Sequence, residues 1–86
     1  MIVGLRCFAA AREAAGRAAD EFELPDAATV ADLLADAIAR YGPDFAAVAA
    51  ISRVWVNGDE PAAGSATPLA SGDEVAVLPP VSGGAR

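Results

Sequence analysis

The sequence predicts one α+β domain in which a single main helix packs on one small mixed sheet. Short segments of alternating apolar and polar residues, typical of half-buried strands, stand on both sides of one longer segment whose apolar residues have helical spacing. With 86 residues, 55% of them hydrophobic, the chain can build one core, and it shows no internal repeat.

Four strands are predicted, at residues 1–8, 18–24, 53–56 and 74–78. The first two are joined by an alanine-rich helical turn over residues 9–15, which Gly16 ends. This connection is too short for a full crossover helix, so the two strands are expected to be antiparallel. The pair Asn57-Gly58 is typical of a turn and ends the third strand.

The main helix has the clearest signals. Thr29 is suited to cap its N-terminus, and Asp32, three residues later, completes a capping box. Apolar residues then recur on one stripe, at Val30, Leu33, Leu34, Ala37, Ile38 and Tyr41. Gly42 is expected to take the left-handed conformation that ends a helix, and Pro43 prevents continuation before a short helical segment at residues 44–50.

The order strand, strand, helix, strand, strand is the outline of the β-grasp, or ubiquitin-like, fold. Residues 1–78 are predicted to form this domain, and residues 79–86 a flexible tail that carries Gly83-Gly84. One face of the sheet stays uncovered. Strand parity places Phe8, Trp55 and Leu78 on that face, where we expect them to bind a partner; scattered surface apolar residues are the alternative.

The composition excludes several classes of function. The chain has a net charge of −6, no lysine and six scattered arginines, so it lacks the basic stripe of a nucleic-acid-binding protein. It has no histidine and one cysteine, so no Ser-His or Cys-His catalytic pair and no His/Cys metal site can form. An enzyme that works alone is therefore not expected.

Two further expectations concern the cysteine and the compartment. Cys7 has the same strand parity as Val3 and Leu5, so it is predicted to lie in the core as a small apolar residue. The chain has no signal-peptide pattern and no apolar run long enough to cross a bilayer, so the cytoplasm is expected.

The reactive group is expected in the tail. Pro79-Pro80 favours an extended backbone, and Gly83-Gly84 has no side chains, so it can pass through a narrow channel of an enzyme. A Gly-rich terminus without a function is the alternative.

Three segments carry a resemblance to a known family. They are residues 8–13 with Gly16, the turn Val56-Asn57-Gly58, and the segment that runs from Leu69 through Gly72-Asp73-Glu74-Val75 to Pro79-Pro80-Val81-Ser82-Gly83-Gly84. Over nearly its whole length the chain resembles the MoaD/ThiS family of sulfur carriers. The Pro-Pro step makes it most similar to the MoaD branch, the small subunits of molybdopterin synthase.

The resemblance implies that Gly84, with Gly83 beside it, is the working residue. A MoeB-like adenylyltransferase would use ATP to turn the Gly84 carboxylate into an acyl-adenylate, and a sulfur donor would displace AMP to leave a thiocarboxylate. A MoaE-like large subunit would then receive the tail and pass sulfur to the pterin precursor. The implied partner contacts are Phe8, Trp55, Leu78, Pro79, Pro80, Val81 and Ser82. The carrier itself would bind no cofactor and no metal.

The chain departs from the family after the second glycine. Ala85-Arg86 follow, so Gly84 as written has a peptide bond in place of a free carboxylate. Removal of both residues by a processing protease is expected; the alternative is that the chain is inactive as encoded. The alternatives for function are a sulfur carrier for cysteine, thiamine or tRNA thiolation, and a ubiquitin-like modifier that is attached to protein lysines through Gly84.

Overall fold

The computed structural model describes residues 1–80, and its elements follow the predicted order. They are β1 (Ile2–Cys7), α1 (Ala9–Ala15), β2 (Ala19–Glu23), α2 (Val30–Tyr41), α3 (Pro43–Ala50), β3 (Arg53–Val56), a 3-10 turn (Gly64–Ala66) and β4 (Glu74–Leu78). The predicted tail begins directly after β4, and its last six residues, 81–86, lie outside the described part. None of the helices within residues 1–80 has the length and apolar character needed to cross a bilayer.

The four strands form one mixed sheet in the order β2-β1-β4-β3. The antiparallel pairing predicted for β1 and β2 is confirmed. The two central strands, β1 and β4, pair in parallel, and β3 pairs antiparallel with β4. The helices lie against one face of this sheet, so the predicted β-grasp arrangement of one mixed sheet packed on a main helix is confirmed.

The core lies between this inner face of the sheet and the helices. Its largest fully buried side chains are Phe22 and Phe45, and Cys7 is buried as predicted. The buried apolar residues among residues 1–80 are Val3, Leu5, Cys7, Ala11, Phe22, Leu24, Ala28, Val30, Leu33, Ala37, Phe45, Leu69, Val75 and Val77. No polar or charged residue of this described part is buried, so apolar packing alone stabilises the core.

The N-terminus of α2 has the predicted capping box. The backbone N–H of Asp32 donates to Thr29 Oγ1 at 3.3 Å, and the backbone N–H of Thr29 donates to Asp32 Oδ2 at 2.8 Å. Two backbone donors that the helix itself cannot pair are thereby satisfied. The helix then buries Val30, Leu33 and Ala37 against the sheet, so the predicted apolar stripe is also confirmed.

The helix stop predicted at Gly42 is wrong in its geometry. Gly42 has φ 104° and ψ −173°, which is not the left-handed helical conformation, and it both ends α2 and precedes α3. A Cβ at this position would meet no atom within 4 Å, so the backbone conformation, not space, favours glycine. Pro43 is the first residue of α3, where the N–H that proline lacks would have no intrahelical partner.

A polar cluster at the end of α2 fastens the helix to β2. Tyr41 donates its hydroxyl to Asp20 Oδ2 at 2.6 Å, and Arg40 Nη1 donates to the same oxygen at 2.9 Å. The guanidinium of Arg40 also lies 3.8 Å from the ring centre of Phe22. The hydrogen bond from Tyr41, followed by those from Arg40 and the backbone of Glu21, lowers the pKa of Asp20 to about 2, although desolvation opposes the shift.

We expect Asp20→Asn to reduce the free energy of unfolding at pH 7 by roughly 1–2 kcal/mol, because each unit of pKa shift corresponds to about 1.4 kcal/mol and solvent screens part of it. The folded pKa lies below the ordinary value of 3.8, so the contribution of Asp20 is present above pH 4 and is lost as the pH falls towards 2. Urea denaturation at a series of pH values measures both effects.

The matched control is Glu23→Gln, which removes one negative charge from the exposed part of the same strand. It should change stability by less than about 0.5 kcal/mol. The variant Asp20→Asn should also show a smaller loss of stability between pH 4 and pH 2 than the wild type. Parallel pH profiles for the two proteins would contradict the assignment.

Candidate partner-docking site

The outer face of the sheet is the face that none of the helices within residues 1–80 covers. Side chains alternate along β3, so Val54 and Val56 pack on the core while Arg53 and Trp55 point away from it. Arg53 is paired with Leu78, and Trp55 with Ala76, across the β3–β4 register. These pairs bring the exposed side chains of the two strands together on one face.

Phe8 joins this group from the neighbouring strand. Cys7 is paired with Val77 in the β1–β4 register, and the next residue, Phe8, donates its backbone N–H to Val77 O at 3.3 Å. Phe8 and Trp55 are 43% and 36% exposed, values that are high for large aromatic side chains. The prediction that Phe8, Trp55 and Leu78 share the outer face is confirmed, and their role in partner binding stays a prediction.

The three side chains surround an open apolar cavity of about 630 Å³. Ala76 presents only a methyl group opposite Trp55, which leaves room between the larger side chains. The cavity is lined by Phe8, Ile51, Arg53, Trp55, Gly58, Ala76, Leu78, Pro79 and Pro80. A continuous apolar surface of this kind on a small protein is typical of an interaction site. We call it the docking surface.

Four members of the docking surface were not among the residues predicted from the sequence: Ile51, Arg53, Gly58 and Ala76. Ile51, which is 68% exposed, and Arg53 both line the cavity. Residues 51, 53 and 55 have the spacing of one strand face, and extending the parity of Trp55 backwards would have found both. Ile51 was not included because it precedes the strand, at the end of α3.

The docking surface continues into the base of the predicted tail. Pro79 is half-buried, Pro80 is exposed, and both line the cavity. The remaining tail residues named from the sequence, Val81, Ser82, Gly83 and Gly84, lie outside the described residues. The structure therefore brings together Phe8, Trp55, Leu78, Pro79 and Pro80 of the predicted site residues.

The turn beside the docking surface is held by hydrogen bonds between two segments. Asn57 Nδ2 donates to Asp73 Oδ1 at 3.0 Å, and the backbone N–H of Glu74 donates to Asn57 Oδ1 at 2.9 Å. Asp73 Oδ2 also accepts from the backbone N–H of Ala70 at 2.8 Å. The bond from Ala70, followed by that from Asn57, lowers the pKa of Asp73. Asp73 is thus a structural carboxylate that fixes the start of β4.

The side chains within residues 1–80 offer little chemistry of their own. This part of the chain contains no group of three His, Cys, Asp or Glu residues placed to hold a metal ion. Cys7 is buried, and burial, together with the nearby charge of Asp20, raises the pKa of its thiol. A thiol that stays protonated at neutral pH is a poor nucleophile. The geometry therefore supports docking, not catalysis, in the folded domain.

Comparison with known proteins agrees with this geometry. Residues 5–84 match the model of the ThiS family. The molybdopterin synthase sulfur carrier subunit of Chlamydomonas reinhardtii is 40% identical over 77 residues, which are 90% of this chain and 92% of the relative.

Two solved structures have the same fold. The protein SAMP1 (small archaeal modifier protein 1) of Haloferax volcanii gives a TM-score of 0.85 at 28% identity, over 96% of this chain and 99% of that one. A Pyrococcus furiosus protein, provisionally identified as molybdopterin converting factor subunit 1, gives 0.83 at 31% identity, over 94% and 99% of the two chains.

The resemblance found in the sequence is thereby confirmed. The family match covers most of the chain, the fold is that of the family, and the docking surface reaches Pro79 and Pro80, which lead into the Gly-Gly tail. The chain therefore belongs to the ThiS family and is a sulfur carrier of the MoaD/ThiS type, a small subunit that acts with a partner and is not itself an enzyme.

Proposed function

We propose that this carrier supplies the sulfur for molybdopterin synthesis as a thiocarboxylate on Gly84. One observation supports this proposal above the others. The docking surface formed by Phe8, Trp55 and Leu78 runs without a break onto Pro79 and Pro80, the residues from which the Gly-Gly tail leaves the domain. The name of the relative from Chlamydomonas reinhardtii, at 40% identity, favours the molybdopterin pathway.

The chemistry needs only the carboxylate of the chain. A free carboxylate at Gly84 is ionised at neutral pH and can attack the α-phosphate of ATP held by an adenylyltransferase, with pyrophosphate as the leaving group. Sulfur from a donor then attacks the acyl carbon and expels AMP, which leaves a thiocarboxylate. No side chain of the carrier has to titrate, which is consistent with a chain that has neither histidine nor lysine.

The partner binds the carrier through the docking surface. Gly84 lies four residues beyond Pro80. An extended chain of that length spans about 13 Å, so a partner that covers the docking surface can place its active site within reach of the tail. The same surface and tail would serve in turn the MoeB-like adenylyltransferase and the MoaE-like large subunit, which passes the sulfur to cyclic pyranopterin monophosphate.

The two residues after Gly84 have to be removed before this chemistry. As written, the carbonyl of Gly84 belongs to the peptide bond with Ala85, and an amide cannot form an acyl-adenylate by attacking a phosphate. The charged side chain of Arg86 is also too large for a channel suited to two glycines. A processing protease that cleaves after Gly84 is therefore part of the proposal.

A second candidate function is a protein modifier attached to lysines through Gly84. It is favoured by the likeness to SAMP1, which is described as a small archaeal modifier protein. The chain has no lysine, so it could be joined to other proteins but could not form lysine-linked chains of itself. Sulfur carriage for cysteine, thiamine or tRNA thiolation would use the same tail chemistry with other partners.

We expect a form that ends at Gly84 to acquire sulfur and the full-length chain not to. Each form would be incubated with the adenylyltransferase, ATP and a sulfide source and then measured by intact mass spectrometry. The truncated form should gain the mass difference between oxygen and sulfur, and omission of ATP should abolish the gain. A full-length chain that gained sulfur while it kept Ala85-Arg86 would contradict the assignment of Gly84.

We expect Leu78→Asp to weaken binding to the adenylyltransferase about tenfold or more, because an apolar contact is lost and a carboxylate, even one that pairs with Arg53 across the strands, loses its hydration under the partner. The control is Ile2→Asp, which makes the same change at a 44% exposed residue of the outer face that does not line the cavity. Both variants should keep the far-UV circular dichroism of the wild type. Equal losses of affinity in the two variants would argue against the docking surface.

A further inference from the structure

One positive charge lies inside the docking surface. Arg53 is the only charged residue among those that line the cavity. Ile51, at the end of α3, and Trp55, on the same strand, also line the cavity, and Leu78 is the partner of Arg53 across the sheet. A protein that covers Trp55 and Leu78 must therefore also cover the guanidinium of Arg53.

Arg53 has no carboxylate partner within the described part of the chain. By contrast, Arg6 lies 3.7 Å from a carboxylate oxygen of Glu74, and Arg17 and Arg40 lie 3.4 Å and 2.9 Å from Asp20. The chain has twelve acidic residues, and none of those within residues 1–80 is placed beside Arg53. In the free protein, water solvates the exposed guanidinium at little cost. When a partner protein covers the docking surface, the guanidinium loses this hydration.

The position of Arg53 makes the distribution of charge on the outer face asymmetric. Its pairing with Leu78 places it where β4 ends and Pro79 begins, at the tail side of the face. The opposite side carries exposed carboxylates: Glu21 and Glu23 on β2 are paired with outward-facing residues of β1, as is Glu74 on β4. The face is thus positive beside the tail and mainly negative away from it.

We propose that Arg53 orients docking by pairing with a carboxylate of the activating adenylyltransferase, beside the opening through which that enzyme receives the tail. This inference rests on the proposed function. A buried guanidinium without an acceptor is costly, whereas a planar guanidinium and a carboxylate form a strong paired hydrogen bond. A partner turned the wrong way would set its acidic group against Glu21 and Glu23, so the pair selects the orientation that places the tail at the active site. A second copy of this chain is a poor occupant because each copy carries a net charge of −6.

The test compares Arg53→Glu with Arg12→Glu in forms that end at Gly84. Arg12 is exposed on α1, has no ion pair among the described residues and does not line the cavity, so its replacement makes the same change in net charge elsewhere. Isothermal titration with the adenylyltransferase should show a loss of affinity of tenfold or more for Arg53→Glu and less than about twofold for Arg12→Glu. Arg53→Lys should fall between Arg53→Glu and the wild type, because an ammonium keeps the charge and loses the planar fork.

Four outcomes would overturn the inference, and the first two concern what the surface recognises. One is an equal effect of the two Glu variants, which would mean that net charge alone matters. The other is a wild-type dimer in analytical ultracentrifugation that Arg53→Glu dissociates, which would assign the surface to a second copy. If the wild-type form gains sulfur and Arg53→Glu binds the adenylyltransferase normally, Arg53 has no role in docking, but the proposed function stands. If the wild-type form neither binds the adenylyltransferase nor gains sulfur, the role of Arg53 and the proposed function are both wrong.

Discussion

The parallel pairing of β1 with β4 is the constraint on which the rest of the structure depends. It joins two antiparallel pairs, β2-β1 and β4-β3, into one sheet and places the last strand at its centre. Its register sets Cys7 beside Val77 in the core, and the next step along each strand brings Phe8 and Leu78 onto the outer face. A shift of one residue in this pairing would separate Phe8 from Leu78 and turn an apolar residue out of the core.

The core that holds this sheet is small and contains few large side chains. Ala11, Ala28 and Ala37 are buried but remove little apolar area each, whereas Phe22 and Phe45 are the largest fully buried side chains and remove the most area per residue. Tyr41 packs edge-on against both rings, with centroid distances of 6.1 Å and 5.1 Å. Its hydroxyl then reaches the polar cluster at Asp20, so one residue links the aromatic core to the bonds that fasten α2 to β2.

The same division of the sheet into two faces explains how a protein with so little chemistry can serve a reaction. The inner face provides stability, and the outer face provides a surface that a partner can hold while the tail leaves at its edge. The buried, protonated Cys7 keeps the only thiol away from sulfur donors. Under the proposed function, adenylation and sulfur transfer would fall to the partners, and this carrier would contribute recognition, orientation and a carboxylate.

The sequence by itself determined most features that depend on a few neighbouring residues, with the conformation of Gly42 as an exception. The capping box of Thr29 and Asp32, the stripe of α2 and the outward direction of Trp55 all follow from local spacing, and each is present. The shared outward direction of Phe8, Trp55 and Leu78 was found in the same way, because strand parity needs only the alternation along each strand. The Gly-Gly motif and its family resemblance were likewise visible without coordinates.

Only the tertiary structure decided which distant residues meet. The Asp20–Tyr41 hydrogen bond joins residues 21 positions apart, and the parallel neighbour of β1 lies about 70 positions further along the chain. Strand order and register depend on how all the apolar faces are buried together, and no local pattern encodes them. Strand parity alone puts Arg53 on the same face as Trp55, but only the β3–β4 register places it opposite Leu78, beside the start of the tail.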